Sequence, residues 1–273
     1  IGKLFMAGIL PGIMGILFYL FAVRWTVWRN PNSGPAGERA GWRQRLLALK
    51  SVWAVLLLFF LVIGGLYGAF DFAPLNLTFS PTEAAGMGAM GAFLIALSRG
   101  GLTIKSTFEV LKETSFTAAA LFSVLIGAQI FSNFINLAGL PEALIAMVTA
   151  YDVPNYMVIL MILGIYVILG CVFESLSMLL LTVPIFFPLV TSLGYDPIWF
   201  GIVVVVVTEI SLITPPVGLN VFILKGVVGD VSTGTIFRGV TPFWIADIFR
   251  LALIVLIPWI VLVLPEQMGA MGH

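Results

Sequence analysis

Two short polar stretches lie inside long apolar runs, and their residue types suit a small cation and a carboxylate. The first is Thr214-Pro215-Pro216-Val217-Gly218-Leu219-Asn220, in the middle of the apolar run 200–228. Each proline lacks the N–H that a helix donates four residues back, so Pro215 and Pro216 deprive the carbonyls of Ser211 and Leu212 of helical partners. In hydrocarbon a freed carbonyl is costly unless protein, water or an ion satisfies it. The second stretch is Gly170-Cys171-Val172-Phe173-Glu174-Ser175-Leu176-Ser177, at the centre of the apolar block 156–193. Hard oxygen donors from Gly170, Glu174, Ser175, Ser211, Leu212, Thr214 and Gly218 suit Na⁺, and Gly218 also lets a ligand approach the backbone. A half-helix starting near Pro216 would offer amide groups and a positive dipole end to a carboxylate. Ser177, Pro215, Pro216, Val217 and Asn220 would then surround that substrate.

Each stretch also has a plainer reading. A double proline can simply kink a helix, and Glu174 can be a protonated or hydrogen-bonded carboxyl at a helix interface. Glu209, one to two turns before the break, fits equally a cation ligand, a proton relay or a polar pair. An enzyme would need a paired acid and base, for which Glu174 and Glu209 are the sole intramembrane candidates. A channel would need a polar stripe along several helices, whereas the polar residues gather at two points. The single cysteine, Cys171, reads as a packing residue, and the single histidine, His273, stands at the last position. Histidine-based metal or acid–base chemistry within the membrane is therefore excluded.

These stretches need apolar elements to hold them. Of the 273 residues 60% are hydrophobic and only 10% charged, against roughly 25% charged in a soluble domain, so the chain reads as an all-helical polytopic membrane protein. Its thirteen basic and thirteen acidic residues balance, which removes any field attracting nucleic acid. Expected spans are 4–27, 51–70, 81–97, 114–137, the broken helix 200–228 and a last span at 242–264. Residues 42–49 read as an interfacial amphipathic helix. Arg24, Arg29, Arg39, Arg43, Arg45 and Lys50 mark one cytoplasmic loop; Arg99, Lys105 and Lys112 mark another. The loops 150–154 and 194–197 carry no Lys or Arg and read as outer. The block 156–193 is short for two spans and a turn, so it reads as a re-entrant hairpin with its tip at 170–177, two short complete spans being the alternative. By this reading the carboxyl terminus faces outside. The glycines at 86–91 permit close helix packing.

Beyond these physical features, the chain resembles the large membrane subunit (DctM-like) of tripartite ATP-independent periplasmic (TRAP) transporters. The resemblance runs through Ala7-Gly8-Ile9-Leu10-Pro11-Gly12, Pro81-Thr82-Glu83-Ala84-Ala85, Val183-Pro184-Ile185-Phe186-Phe187-Pro188 and Asp196-Pro197-Ile198-Trp199-Phe200-Gly201. It culminates in Leu212-Ile213-Thr214-Pro215-Pro216-Val217-Gly218-Leu219-Asn220 and continues to Arg238-Gly239-Val240. It implies the carboxyl-terminal part of that subunit, in the inner membrane of a bacterium, with an elevator-type architecture. Residues 1–137 would hold scaffold-type helices, 138–232 the hairpin and broken helix of a transport domain, and 233–273 a final span and tail. The implied activity is sodium-driven import of an organic acid. Implied partners are a small membrane subunit (DctQ-like), a periplasmic substrate-binding protein (DctP-like) and the remaining amino-terminal half of the large subunit. A structural subunit of a larger complex, or a proton-coupled carrier using Glu174 and Glu209, are the alternatives to that activity.

Overall fold

A computed structural model describes residues 2–34, 37, 41–68, 70 and 79–270. The expectations placed on Arg39 and His273, and the stretch 71–78 between the expected spans 51–70 and 81–97, lie outside the described residues. Among the described residues every regular element is helical, in the order α1 (Gly2–Ala7), α2 (Ile9–Arg29), α3 (Trp42–Leu66), α4 (Pro81–Ser98), α5 (Ile104–Leu137), α6 (Leu140–Ala150), α7 (Asn155–Leu169), α8 (Ser175–Ser192), α9 (Pro197–Ser211), α10 (Leu219–Val228), α11 (Thr233–Leu256) and α12 (Trp259–Ala270). The fold is that of an all-α polytopic membrane protein. Among the described residues four spans, namely α1 with α2, α5, α8 and α11, are long and apolar enough to cross a bilayer, and α3 makes a fifth if its bent halves count together. α4 falls short of that apolarity because Pro81-Thr82-Glu83 and its glycines dilute it.

The helices form two compact units, Pro35–Ala119 with the first two residues, and Lys3–Gly34 with Ala120–His273. Compactness therefore groups α2 with the later helices.

In the first unit α3 bends by 63° between Trp42–Lys50 and Val52–Leu66, where the sequence separates an amphipathic stretch from a span. Ser80 caps α4. Its hydroxyl accepts from the Glu83 N–H at 3.3 Å, and the Glu83 carboxylate accepts from the Ser80 N–H at 2.8 Å, a reciprocal box that fixes where the helix begins. The expected close packing is present. A Cβ on Gly91 would overlap Leu58, and one on Gly88 would touch Val62 at 3.4 Å. α5 begins ten residues before the expected 114, so Lys105 and Lys112 ride on a helix instead of a loop. The cause is local: the Thr103 hydroxyl accepts from the Ser106 N–H at 3.1 Å and the Ser106 hydroxyl accepts from the Thr103 N–H at 2.8 Å.

In the second unit α9 is the central helix, with ten of its fifteen residues buried, which leaves it almost no face toward solvent or lipid. Its β-branched run 202–207 packs against α7, α8 and α11, and Trp199 is 1% exposed with its Nε1 donating to the Ile254 carbonyl at 3.0 Å. Lipid tails are as apolar as these side chains, so what holds the unit together is close packing and internal hydrogen bonds. One polar device pins α2 to α11: the Tyr19 hydroxyl donates to Asp247 Oδ2 at 2.5 Å. Arg250 Nη2 lies 3.0 Å from Asp247 Oδ1, near enough for an ion pair though not aligned for a hydrogen bond. A Cβ on Gly15 would strike the same guanidinium, so that glycine makes room for it.

Two other boundaries differ from expectation. The last span runs Thr233–Leu256, started by the Ser232 cap on the Thr235 N–H at 3.2 Å. Pro242 sits inside it. The helix stops before Pro258, which has no N–H to continue it, and α12 follows as a separate piece. α6 was not foreseen as an element; Gly139 at φ 69, Pro141 and Glu142 start it, a combination legible once sought.

Candidate functional site

α7 and α8 form a helical hairpin. Asn155 Nδ2 donates to the Leu193 carbonyl at 3.2 Å, which joins the chain's entry and exit at one end. Halfway up, the buried Thr182 hydroxyl bonds Tyr166 Oη at 2.7 Å. The tip is the non-helical segment 170–174. There Glu174 is the N-cap of α8, and its two carboxylate oxygens accept from the Leu176 N–H at 3.1 Å and the Ser177 N–H at 3.2 Å. The Ser177 hydroxyl adds a longer contact at 3.4 Å. Glu174 is exposed, while Ser175 and Ser177 are half-buried. The Cys171 thiol contacts the Val167 carbonyl of α7 at 3.6 Å.

The second interruption separates α9 from α10. α9 ends at Ser211, and α10 begins at Leu219 instead of near Pro216, with Gly218 at φ 57 as its cap. The prolines thus occupy the turn between the half-helices, joined by a cis peptide bond. The Ser211 carbonyl accepts from the Thr214 N–H at 3.2 Å and the Leu212 carbonyl from the Asn220 N–H at 3.1 Å. Neither carbonyl is bare, yet each keeps a second lone pair. The Asn220, Val221 and Phe222 amides are already engaged, the last two by the Gly218 carbonyl, so the head of α10 has less free donor capacity than the sequence suggested.

The hairpin tip and the break meet. Gly170 is buried against Ser211, and a Cβ on Gly170 would overlap the Ser211 hydroxyl and approach its Cα at 3.3 Å. Ser211 is fully buried, its hydroxyl donating to the Thr208 carbonyl at 2.5 Å. Thr214 is 5% exposed; its hydroxyl donates to the Ile210 carbonyl at 2.7 Å and accepts from Trp244 Nε1 at 2.8 Å. Gly218 lies against the Ile213 carbonyl carbon, the Thr214 oxygen and the Phe237 ring, each 3.3 Å from where a Cβ would sit, so both its positive φ and its surroundings require glycine.

Of the sequence-derived residues, Gly170, Ser211, Leu212, Thr214 and Gly218 are therefore buried in one place, Gly170 against Ser211 and Gly218 against Thr214. Pro215, Pro216 and Asn220 are exposed and Val217 half-buried, which puts them on the open side of the break. Among the described residues Glu174, Ser175 and Ser177 make no hydrogen bond to that break, and Glu209 is exposed on α9. Two residues were missed. Trp244 reaches the break from α11, thirty positions away, which no local pattern reveals. Thr208 is 1% exposed and its hydroxyl has no partner among the described residues, one turn before Ser211. Its place in the run Val-Val-Val-Thr-Glu was the available signal.

A helical hairpin whose tip seats on a broken apolar helix, in a chain with several membrane-length helices, defines the class as a polytopic all-α membrane protein. Residues 1–260 match the family model described as the DctM component of the tripartite ATP-independent periplasmic transporter, and the chain belongs to that family. It is 33% identical over 272 residues to the C4-dicarboxylate TRAP transporter large permease protein DctM of Pseudomonas aeruginosa, covering 98% of this chain and 61% of that protein. It is 31% identical to the sialic acid TRAP transporter large permease protein SiaM of Vibrio cholerae, over 100% of this chain and 62% of the relative. The ectoine large permease protein TeaC of Halomonas elongata is 30% identical, with 97% and 60% covered. The chain thus spans about three fifths of the length of these relatives.

Proposed function

We propose that this chain is the ion- and substrate-handling part of a TRAP large permease that imports an organic acid with Na⁺. The supporting observation is the seating of Gly170 on Ser211, which brings the two backbone interruptions together beside the buried Ser211 and Thr214 hydroxyls. Carbonyls with a spare lone pair and buried hydroxyls are hard ligands at a depth where water is scarce, and a small monovalent cation suits them. Bound Na⁺ would hold the tip against the break and so order the exposed side, where Ser177, Pro215, Pro216, Val217 and Asn220 would meet a carboxylate together with the Leu219 end of α10. Glu174 and Ser175 complete the cation side in this reading, Glu174 through the shape it gives the tip.

The substrate is proposed as a carboxylate because two of the relatives are named for C4-dicarboxylate and sialic acid. A periplasmic binding protein would deliver it and a small membrane subunit would brace the immobile part, as the family description and a relative named as a combined DctMQ permease suggest. The hairpin and broken helix would slide as a body past the scaffold, with the hairpin entering and leaving the inner membrane from one side and the carboxyl terminus in the periplasm.

The test is uptake of labelled C4-dicarboxylates, sialic acid and keto acids into proteoliposomes holding the assembled transporter and its binding protein. Uptake that needs both an inward Na⁺ gradient and the binding protein is expected. Uptake indifferent to Na⁺ would overturn the coupling, and a proton gradient sufficing alone would favour Glu174 and Glu209 as carriers.

A further inference from the structure

The second unit carries another feature that ion coupling does not use, a groove of ≈ 660 Å³ between α2 and α11. Its walls are almost wholly apolar, with Phe18 and Leu253 at one end and Trp25 and Arg238 at the other, and Ala246 and Phe249 between. The walls are braced from behind. Tyr19 bonds Asp247 and stacks edge-on against Phe243 at 5.3 Å, so the two helices are fixed at this spacing before anything binds.

The two ends differ in charge. Arg238 is exposed and makes no ion pair among the described residues. Beside it, Trp25 and Trp28 form an aromatic pair with centroids 5.4 Å apart, and Arg24 and Arg29 neighbour them in the chain. Tryptophan among arginines is the composition of a membrane–water boundary on the cytoplasmic face, where anionic lipid is attracted. From Arg238 to Leu253 the helix rises about 22 Å, more than the roughly 15 Å of half a hydrocarbon core, so the groove leads from that boundary past the midplane.

We propose that this groove binds one anionic phospholipid, its acyl chain along Ala246 and Phe249 and its phosphate on Arg238. Charge complementarity selects the occupant: a purely apolar partner would leave the guanidinium unused, and a soluble anion would leave the apolar walls unfilled. The arginine supplies preference for negative headgroups, while the walls supply affinity common to all acyl chains.

The experiment is native mass spectrometry of the delipidated assembled transporter titrated with phosphatidylglycerol or with phosphatidylcholine. Wild type should retain one phosphatidylglycerol about fivefold more tightly than phosphatidylcholine, and Arg238→Gln should abolish that difference. Ala246→Phe should weaken both lipids together. Because Arg238 is exposed, its variant remains informative even if the filled groove misfolds. In parallel, a photo-crosslinking amino acid at Phe249 should capture phospholipid. Equal retention of the two lipids in wild type, no effect of Arg238→Gln, or capture of a polypeptide segment at Phe249 would each overturn the proposal.

Discussion

At the hairpin tip the first amides of α8 are satisfied by a side chain, Glu174, whereas at the α9–α10 break the carbonyls released by the prolines are satisfied by other backbone groups. The two solutions have different consequences. A side-chain cap can stand exposed, keeps its shape if another acceptor replaces it, and contributes only about 1 kcal/mol. A break closed by its own backbone buries Ser211, Leu212 and Thr214, needs glycine at Gly218, and has no substitute that preserves both its turn and its carbonyl positions. The tip therefore supplies adjustability and the break supplies the fixed ligands, with Gly170 on Ser211 as the joint between them.

The largest expected effect comes from removing that difference. Replacing Pro215-Pro216 by Ala-Ala allows helix to extend toward the turn, so uptake should be abolished while membrane insertion, read by protease protection, stays intact. Wild-type uptake in that variant would break the comparison.

Next in size is the joint. Gly170→Ala forces a methyl into Ser211, an overpacking cost of about 1–3 kcal/mol, and should weaken half-saturation by Na⁺ at least tenfold. Adding Ser211→Gly returns the space and should recover part of the loss. If the double variant is worse than the sum of the two single ones, the contact is not what couples tip to break.

A smaller effect is expected at the cap. Glu174→Ala should lower stability by about 1 kcal/mol, measured by thermal unfolding, whereas Glu174→Gln, with an acceptor oxygen retained, should stay nearer to wild type in stability and uptake. Loss of uptake in the glutamine variant without loss of stability would reassign Glu174 from cap to proton carrier. Least of all, Trp244→Phe removes one hydrogen bond to Thr214 and should cost roughly 1 kcal/mol.

How far the sequence foretold this arrangement follows from the range of each interaction. The double proline interrupts its helix through missing N–H groups four residues away, so Ser211 and Leu212 were identifiable from spacing alone. That two helices meet at a polar turn was legible from the polar centre of the block 156–193, and the Ser80–Glu83 start of α4 from four consecutive residues. The early start of α5 depended on a Thr103–Ser106 pair that looks like ordinary loop composition. Gly170 against Ser211 spans forty-one positions and Trp244 to Thr214 thirty, and only the packed structure assigns such partners. Glu174 was singled out because an intramembrane carboxylate is costly; its bonds to the amides two and three positions on add a capping role that the sequence reading did not assign.

The most direct test of the joint as an ion site is the thermal unfolding of the assembled transporter in Na⁺ and in K⁺ at equal ionic strength, for wild type and Gly170→Ala. A site formed only in the folded state stabilises by about 2.7 kcal/mol when the ion stands at a hundred times its Kd. The account predicts a rise in Tm with Na⁺ over K⁺ in wild type that is lost in Gly170→Ala. Equal unfolding in the two salts for wild type, or an undiminished Na⁺ effect in the variant, would contradict it.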